Sequence, residues 1–189
     1  MTAPDMPDNA SEPRLGVFHR LFDRLFPLIR FWHERVKGNE WFSPVTPQLW
    51  LGGAPTTAAD YARLVAEGIT AVVDIRAERR DDSAFYERHD IAYARYPVPD
   101  VTVPDAATIG AAVDWIRDRV DEGRVVLVHC AKGRGRSATL LAGYLMRERG
   151  HDYDAARELL CSRRRLTKLE PRHRAVLEAW LAAEAPPAP

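Results

Sequence analysis

Cysteine is scarce in this chain: two in 189 residues, Cys130 and Cys161. Two thiols cannot build the disulfide framework of small secreted folds, and a free working thiol fits a reducing compartment. Long apolar runs are missing too; nothing approaches the ~20 consecutive apolar residues that span a bilayer. No charge sign dominates. The 27 basic residues meet 27 acidic ones, so no global field draws the chain to nucleic acid. Lysine occurs only at Lys37, Lys132 and Lys168; the bias toward arginine and alanine is of the kind a GC-rich bacterial genome produces. The six histidines lack a His-x-x-x-His pair with a third ligand, so no metal and no other cofactor is expected. Residues 1–12 are polar, carry acidic groups and have no apolar centre, unlike a signal peptide. These exclusions leave a globular protein of one domain plus tails. Its expected place is the cytoplasm, with a peripheral position on the inner membrane surface as an extension of that reading.

The pattern along the chain divides it into four stretches. Residues 1–13 are rich in Pro, Asp, Asn and Ser and read as disordered. Residues 14–40 hold an amphipathic helical pattern: Phe18, Leu21, Phe22, Leu25, Ile29, Trp32 and Val36 recur at helical spacing among arginines, with Pro27 imposing a kink. Such a 15–36 segment can pack on its own domain, on a twin, or in a lipid interface. Residues 41–184 form the main domain, and 185–189 a tail. Trp41–Pro47 reads as turns. Strands are expected at Leu49–Gly53, Ile69–Ile75, Ile91–Tyr96 and Val125–His129. Helices are expected at 57–67, 83–89, 105–122, from the loop after His129 to 149, at 152–163 and at 171–183. Strands alternating with helices predict an α/β fold, a central, mostly parallel sheet flanked by helices.

One stretch carries chemistry. His129-Cys130-Ala131-Lys132-Gly133-Arg134-Gly135-Arg136-Ser137 follows an apolar β-branched run and precedes a helical pattern. In a strand–loop–helix setting, backbone N–H groups of Ala131, Lys132, Gly133, Arg134 and Gly135 can wrap an oxyanion beside a positive helix end. Arg136 can grip two phosphate oxygens with its fork. The same field lowers the pKa of Cys130, placing a thiolate beside bound phosphate.

The His-Cys-x-x-Gly-x-x-Arg-Ser pattern, read from His129 to Ser137, resembles the signature loop of the protein-tyrosine and dual-specificity phosphatase superfamily. The resemblance implies that fold from about Trp41 to Leu181, no metal, and hydrolysis of a phosphate monoester through a phosphocysteine. It also implies an upstream aspartic acid that protonates the leaving group. Asp100, in the proline-bounded stretch Tyr96–Asp105, fits that role; Asp105 competes but suits a helix N-cap better, and Asp100 as a plain turn residue stays open. Ser137 would ease departure of the sulfur. His129 would tune the thiol, or would be an ordinary strand-end histidine.

Cys-Ala-Lys-Gly-Arg-Gly-Arg-Ser is similar to the Cys-Lys-Ala-Gly-Arg-Gly-Arg-Ser loop of the mitochondrial and plant phosphatidylglycerophosphate phosphatases, with the Ala131-Lys132 order swapped. Trp41-Phe42 and Leu49–Gly53 resemble that branch as well. Lys132, Arg134 and a basic stretch from Arg163 to Arg174 then point to an acidic phospholipid head group, although that stretch also reads as a solvated helix end. A protein phosphatase for phospho-Tyr, phospho-Ser or phospho-Thr is the alternative, and a non-catalytic phosphate-binding module a weaker one. Asp74 and Arg76, at the end of one strand, read either as support for the site or as ordinary ion pairs. Cys161 reads as a core residue or as a resolving thiol.

Overall fold

The computed structural model describes residues 40–184; the expectations for 1–13, for the 15–36 segment and for the 185–189 tail lie outside them. Val126–Cys130 (β5) is the middle strand of a five-stranded sheet ordered β1-β2-β5-β3-β4. Its neighbours are Leu49–Gly53 (β2) and Ala71–Arg76 (β3), both parallel to it, and Ala92–Val98 (β4) continues the parallel set beyond β3. Phe42–Pro44 (β1) lies antiparallel on β2. The sheet is mostly parallel, as expected, but β1 corrects the reading of 41–47 as turns. A three-residue strand ending in Pro44 has too little alternation to announce itself, and an edge tolerates the proline.

Six helices connect and cover these strands among the described residues: Ala58–Ala66 (α1), Ser83–Arg88 (α2), Ala106–Asp121 (α3), Arg136–Arg149 (α4), Tyr153–Arg163 (α5) and Pro171–Glu184 (α6). Their starts follow side-chain chemistry. Thr57, Asp82, Asp105 and Asp152 each accept a backbone N–H of the first turn, the capping arrangement that satisfies an orphan donor. Helix α4 differs: its N-cap is Gly135, with no side-chain cap, so its first N–H groups stay available. No helix among the described residues is long and apolar enough to cross a membrane.

Side chains alternate across the sheet. Leu51, Val73, Val126 and Val128 enter one core with Ile109, Leu141, Leu160 and Trp180 from α3, α4, α5 and α6. The next residues along β3 and β5, Asp74, Arg76 and His129, turn to the opposite face and are buried there as charged or polar groups. Cys130 therefore ends β5 on the helix-bundle side, while its neighbour His129 faces an ion network beneath.

Candidate active site

The loop 131–135 runs from the carboxyl end of β5 into α4, where parallel sheets place their ligands. Each of its carbonyl oxygens is engaged by an outside donor. Ala131 O accepts from the Ala54 N–H (3.4 Å), Arg134 O from the Lys168 N–H (3.0 Å), and Gly135 O from the N–H (2.8 Å) and hydroxyl (2.9 Å) of Thr139. Arg164 holds the other two, Lys132 O from Nη2 (3.0 Å) and Gly133 O from Nε (2.9 Å), while its Nη1 donates to Ser43 Oγ of β1 (3.1 Å). In a trans peptide the N–H points opposite to the C=O. Carbonyls pulled outward therefore turn the N–H groups of residues 132–136 inward, as an anion cradle requires. Gly133 makes the curve possible: its φ is +61°, and a Cβ there would lie 2.3 Å from Gly52 O.

Cys130 Sγ sits inside this curve and accepts a hydrogen bond from Ser137 Oγ at 3.4 Å. Burial pushes the thiol pKa up. The Arg136 guanidinium, the Ser137 hydroxyl and the N–H groups of Arg134 and Ser137 outweigh burial and hold it below the ordinary value. Arg136 is itself buried and fully engaged at its two terminal nitrogens. Nη1 donates to Glu78 Oε2 and to Val98 O, and Nη2 to Glu78 Oε1 and Asp100 Oδ1, all at 2.8 Å. Glu78 thus clamps the guanidinium in a bidentate pair, and its carboxyl is held low by that contact against the upward push of burial. Asp100 lies on the exposed turn after β4, with 60% of its side chain accessible. Thr102 Oγ1 donates to Pro99 O (2.7 Å) within that turn, and Arg172 Nη1 donates to Val101 O (3.0 Å), tying it to α6. Asp105 is occupied elsewhere, as the N-cap of α3.

The structure therefore brings together Cys130, Arg136, Ser137, Asp100 and the loop 131–135, with His129 directly behind. His129 Nε2 lies 2.8 Å from Asp81 Oδ2. Asp74, Asp81 and His129 offer ligand atoms within 4.8 Å of one another, but the Arg76 guanidinium bonds both carboxylates, so a protein cation already stands where a metal ion would. Asp74 and Arg76 are therefore a buried pair under the site rather than ordinary loop partners.

Three contributors were not legible as such in the sequence: Glu78, Asp81 and Arg164. Arg163, Arg165, Lys168, Arg172 and Arg174 are exposed, as expected of a solvated helix end, but Arg164 is not. It is buried, and among the rest Lys168 and Arg172 pair with Glu170, and Arg174 with Glu178 and Asp154. Cys161 is half-buried rather than in the core, its Sγ 4.0 Å from Thr167 O.

Residues 49–181 match the catalytic domain of dual specificity phosphatases. The chain is 28% identical over 185 residues to the phosphatidylglycerophosphate phosphatase PTPMT2 of Arabidopsis thaliana, covering 95% of this chain and 80% of that protein. It is 34% identical over 124 residues to dual specificity phosphatase 28 of Mus musculus, covering 65% and 73%. The crystal structure of PTPMT1 shares the fold, with a TM-score of 0.68 at 24% identity over 76% of this chain and 95% of that one. With its thiol, arginine and anion-binding loop disposed on that fold, the chain belongs to the dual-specificity phosphatase family and is a cysteine phosphatase, a phosphoric monoester hydrolase.

Proposed function

We propose that this phosphatase acts on an acidic phospholipid, phosphatidylglycerophosphate or a phosphoinositide, through a phosphocysteine intermediate. The reach of one similarity carries the substrate reading: likeness to the plant phosphatidylglycerophosphate phosphatase extends over 95% of the chain, against 65% for the mouse dual-specificity enzyme. The exposed Arg134 adds a cation at the mouth of the loop that suits a second acidic group. The 15–36 segment, amphipathic in sequence, suits peripheral contact with a membrane. Phosphoproteins are the second reading, favoured by the higher identity, 34%, to dual specificity phosphatase 28 and by the carboxylates that neutralise much of the 163–174 stretch. A module that only binds phosphate would not need Cys130, Arg136 and Asp100 together.

The reaction runs in two displacements. Cys130 Sγ attacks phosphorus as the ester P–O bond breaks, and the departing oxygen takes a proton from Asp100. Arg136 and the inward N–H groups stabilise the equatorial oxygens. Water then attacks the phosphocysteine, the P–S bond breaks, and Asp100 recovers a proton from the water. The Ser137 hydroxyl, already on Sγ, stabilises the thiolate as it leaves.

Asp100→Asn is expected to slow esters of poor leaving groups by about 10²–10³-fold and p-nitrophenyl phosphate far less. Equal losses on both would remove Asp100 from the role of acid. The substrate class is read from phosphate release on vesicles containing phosphatidylglycerophosphate, on vesicles containing a phosphoinositide, and on phosphopeptides. A phospholipid is expected to give the highest kcat/KM, and phosphopeptides ahead by orders of magnitude would overturn the lipid reading.

A further inference from the structure

The six residues between β3 and α2, 77–82, brace both ends of the signature: Glu78 clamps Arg136, and Asp81 meets His129. The second contact has no role in the two displacements, yet it is among the most thoroughly buried in the chain. The side chains of Asp81, Asp74 and His129 are fully covered. Asp81 Oδ2 also accepts the Tyr86 hydroxyl (2.7 Å), and its Oδ1 pairs with Arg76. Arg76 in turn holds Asp74 with Nε and Nη2, both at 2.9 Å, and the Tyr93 hydroxyl donates to Asp74 at 3.3 Å.

The charges in this sealed space do not balance without one more proton. Two carboxylates face one guanidinium, which leaves one negative charge uncompensated where burial of an unpaired charge is costly. A second proton on His129 closes the balance. Its Nε2 then donates to Asp81, and its Nδ1, which has no hydrogen-bond partner, lies 4.0 Å from Asp74 Oδ1 as an ion-pair contact. Burial and Arg76 oppose that proton. Asp81 and Asp74 outweigh them and raise the pKa of His129. Tyr86 of α2 and Tyr93 of β4 face the carboxylates, and Tyr61 of α1 accepts the Asp82 N–H at 2.9 Å. On the other side of the strand, Cys130 faces Arg136 and Ser137.

We propose that Asp81 is a positioning residue for the nucleophile: it holds His129 as a fixed imidazolium one residue before Cys130. The inference rests on Cys130 being the nucleophile, and its test reads the thiol separately from turnover. Asp81→Asn keeps the shape but leaves Asp74 and Arg76 balanced, so His129 gives up its proton and the thiolate loses a neighbouring cation.

The experiment follows the rate of Cys130 alkylation by iodoacetamide against pH, by peptide mass spectrometry, with Cys161 in the same molecule as the reference. The midpoint for Cys130 is expected to rise by about one pH unit in Asp81→Asn, and Asp81→Asn added to His129→Gln is expected to move it no further. An unchanged midpoint would reduce Asp81 to a structural residue. A lowered midpoint would mean that its charge acts on the thiol directly; either result overturns the proposal. In the wild-type chain, imidazole ¹⁵N shifts are expected to report both nitrogens of His129 protonated at neutral pH. A neutral ring there overturns it even if the variant fails to fold. If Cys130→Ser retained turnover, the nucleophile reading would fail instead, which the alkylation midpoints do not decide.

Discussion

Cys130→Ser is expected to lower phosphate release by about six orders of magnitude, the scale of loss when a covalent nucleophile is removed. A serine hydroxyl fits the space of the thiol but is far less acidic than a cysteine whose pKa Arg136, Ser137 and two backbone N–H groups hold below the ordinary value. The cradle does not depend on the sulfur. Its carbonyls are fixed by Ala54, Arg164, Lys168 and Thr139, so the variant is expected to unfold at the wild-type temperature and still be stabilised by inorganic phosphate. Turnover of p-nitrophenyl phosphate above one part in about a thousand, far over the loss expected for a nucleophile, would exclude the covalent route.

Arg136→Lys is expected to reduce kcat/KM by about 10³–10⁵-fold, the range for an arginine that stabilises phosphoryl-transfer charge. The exchange keeps the charge and loses the geometry. The two terminal nitrogens of Arg136 donate four hydrogen bonds, two of them to the parallel oxygens of Glu78. A lysine ammonium has no planar fork to match them, and its strand of methylenes leaves Glu78 half-paired in a largely covered site. The comparison is read from kcat/KM on an aryl phosphate, with circular dichroism to establish that the fold is kept. A loss under tenfold would mean that bare charge, not the fork, is what the reaction uses.

The local part of this site was legible in the sequence. Residues 129–137 are contiguous, so their order alone implies strand, cradle and helix, and Asp105 reads correctly as a helix cap because capping is decided within four residues. Asp100 could be singled out only with the help of a family likeness. Glu78, Asp81 and Arg164 were not singled out, for one physical reason. They reach the signature across 58, 48 and 31 residues, and a charged residue in a loop has the same appearance in sequence whether the fold later buries it or leaves it in water. Arg79 and Arg80 are exposed beside Glu78 and Asp81, and no periodicity separates the four. Strand β1 escaped for a different reason: three residues against an edge carry too short a pattern, and its part in the site, Ser43 bonded to Arg164, is visible only once the sheet is assembled.

The contact between Asp100 and Arg136 makes the empty site a self-occupied one. Each terminal N–H of Arg136 already has an acceptor, and of the two carboxylates it holds, Glu78 is 18% accessible and Asp100 60%. An entering anion that takes Nη2 therefore evicts Asp100, a rival tethered to the same chain and present at a high effective concentration. A free carboxylate offers Arg136 nothing that Asp100 does not already give and has no tether, so it loses the exchange. A phosphoryl group brings three oxygens that reach the N–H groups of the loop as well as the guanidinium, and so it wins. Preference for phosphate esters over the abundant carboxylates around them is the expected consequence of this resting state, and the side chain set free by the exchange is the proposed general acid.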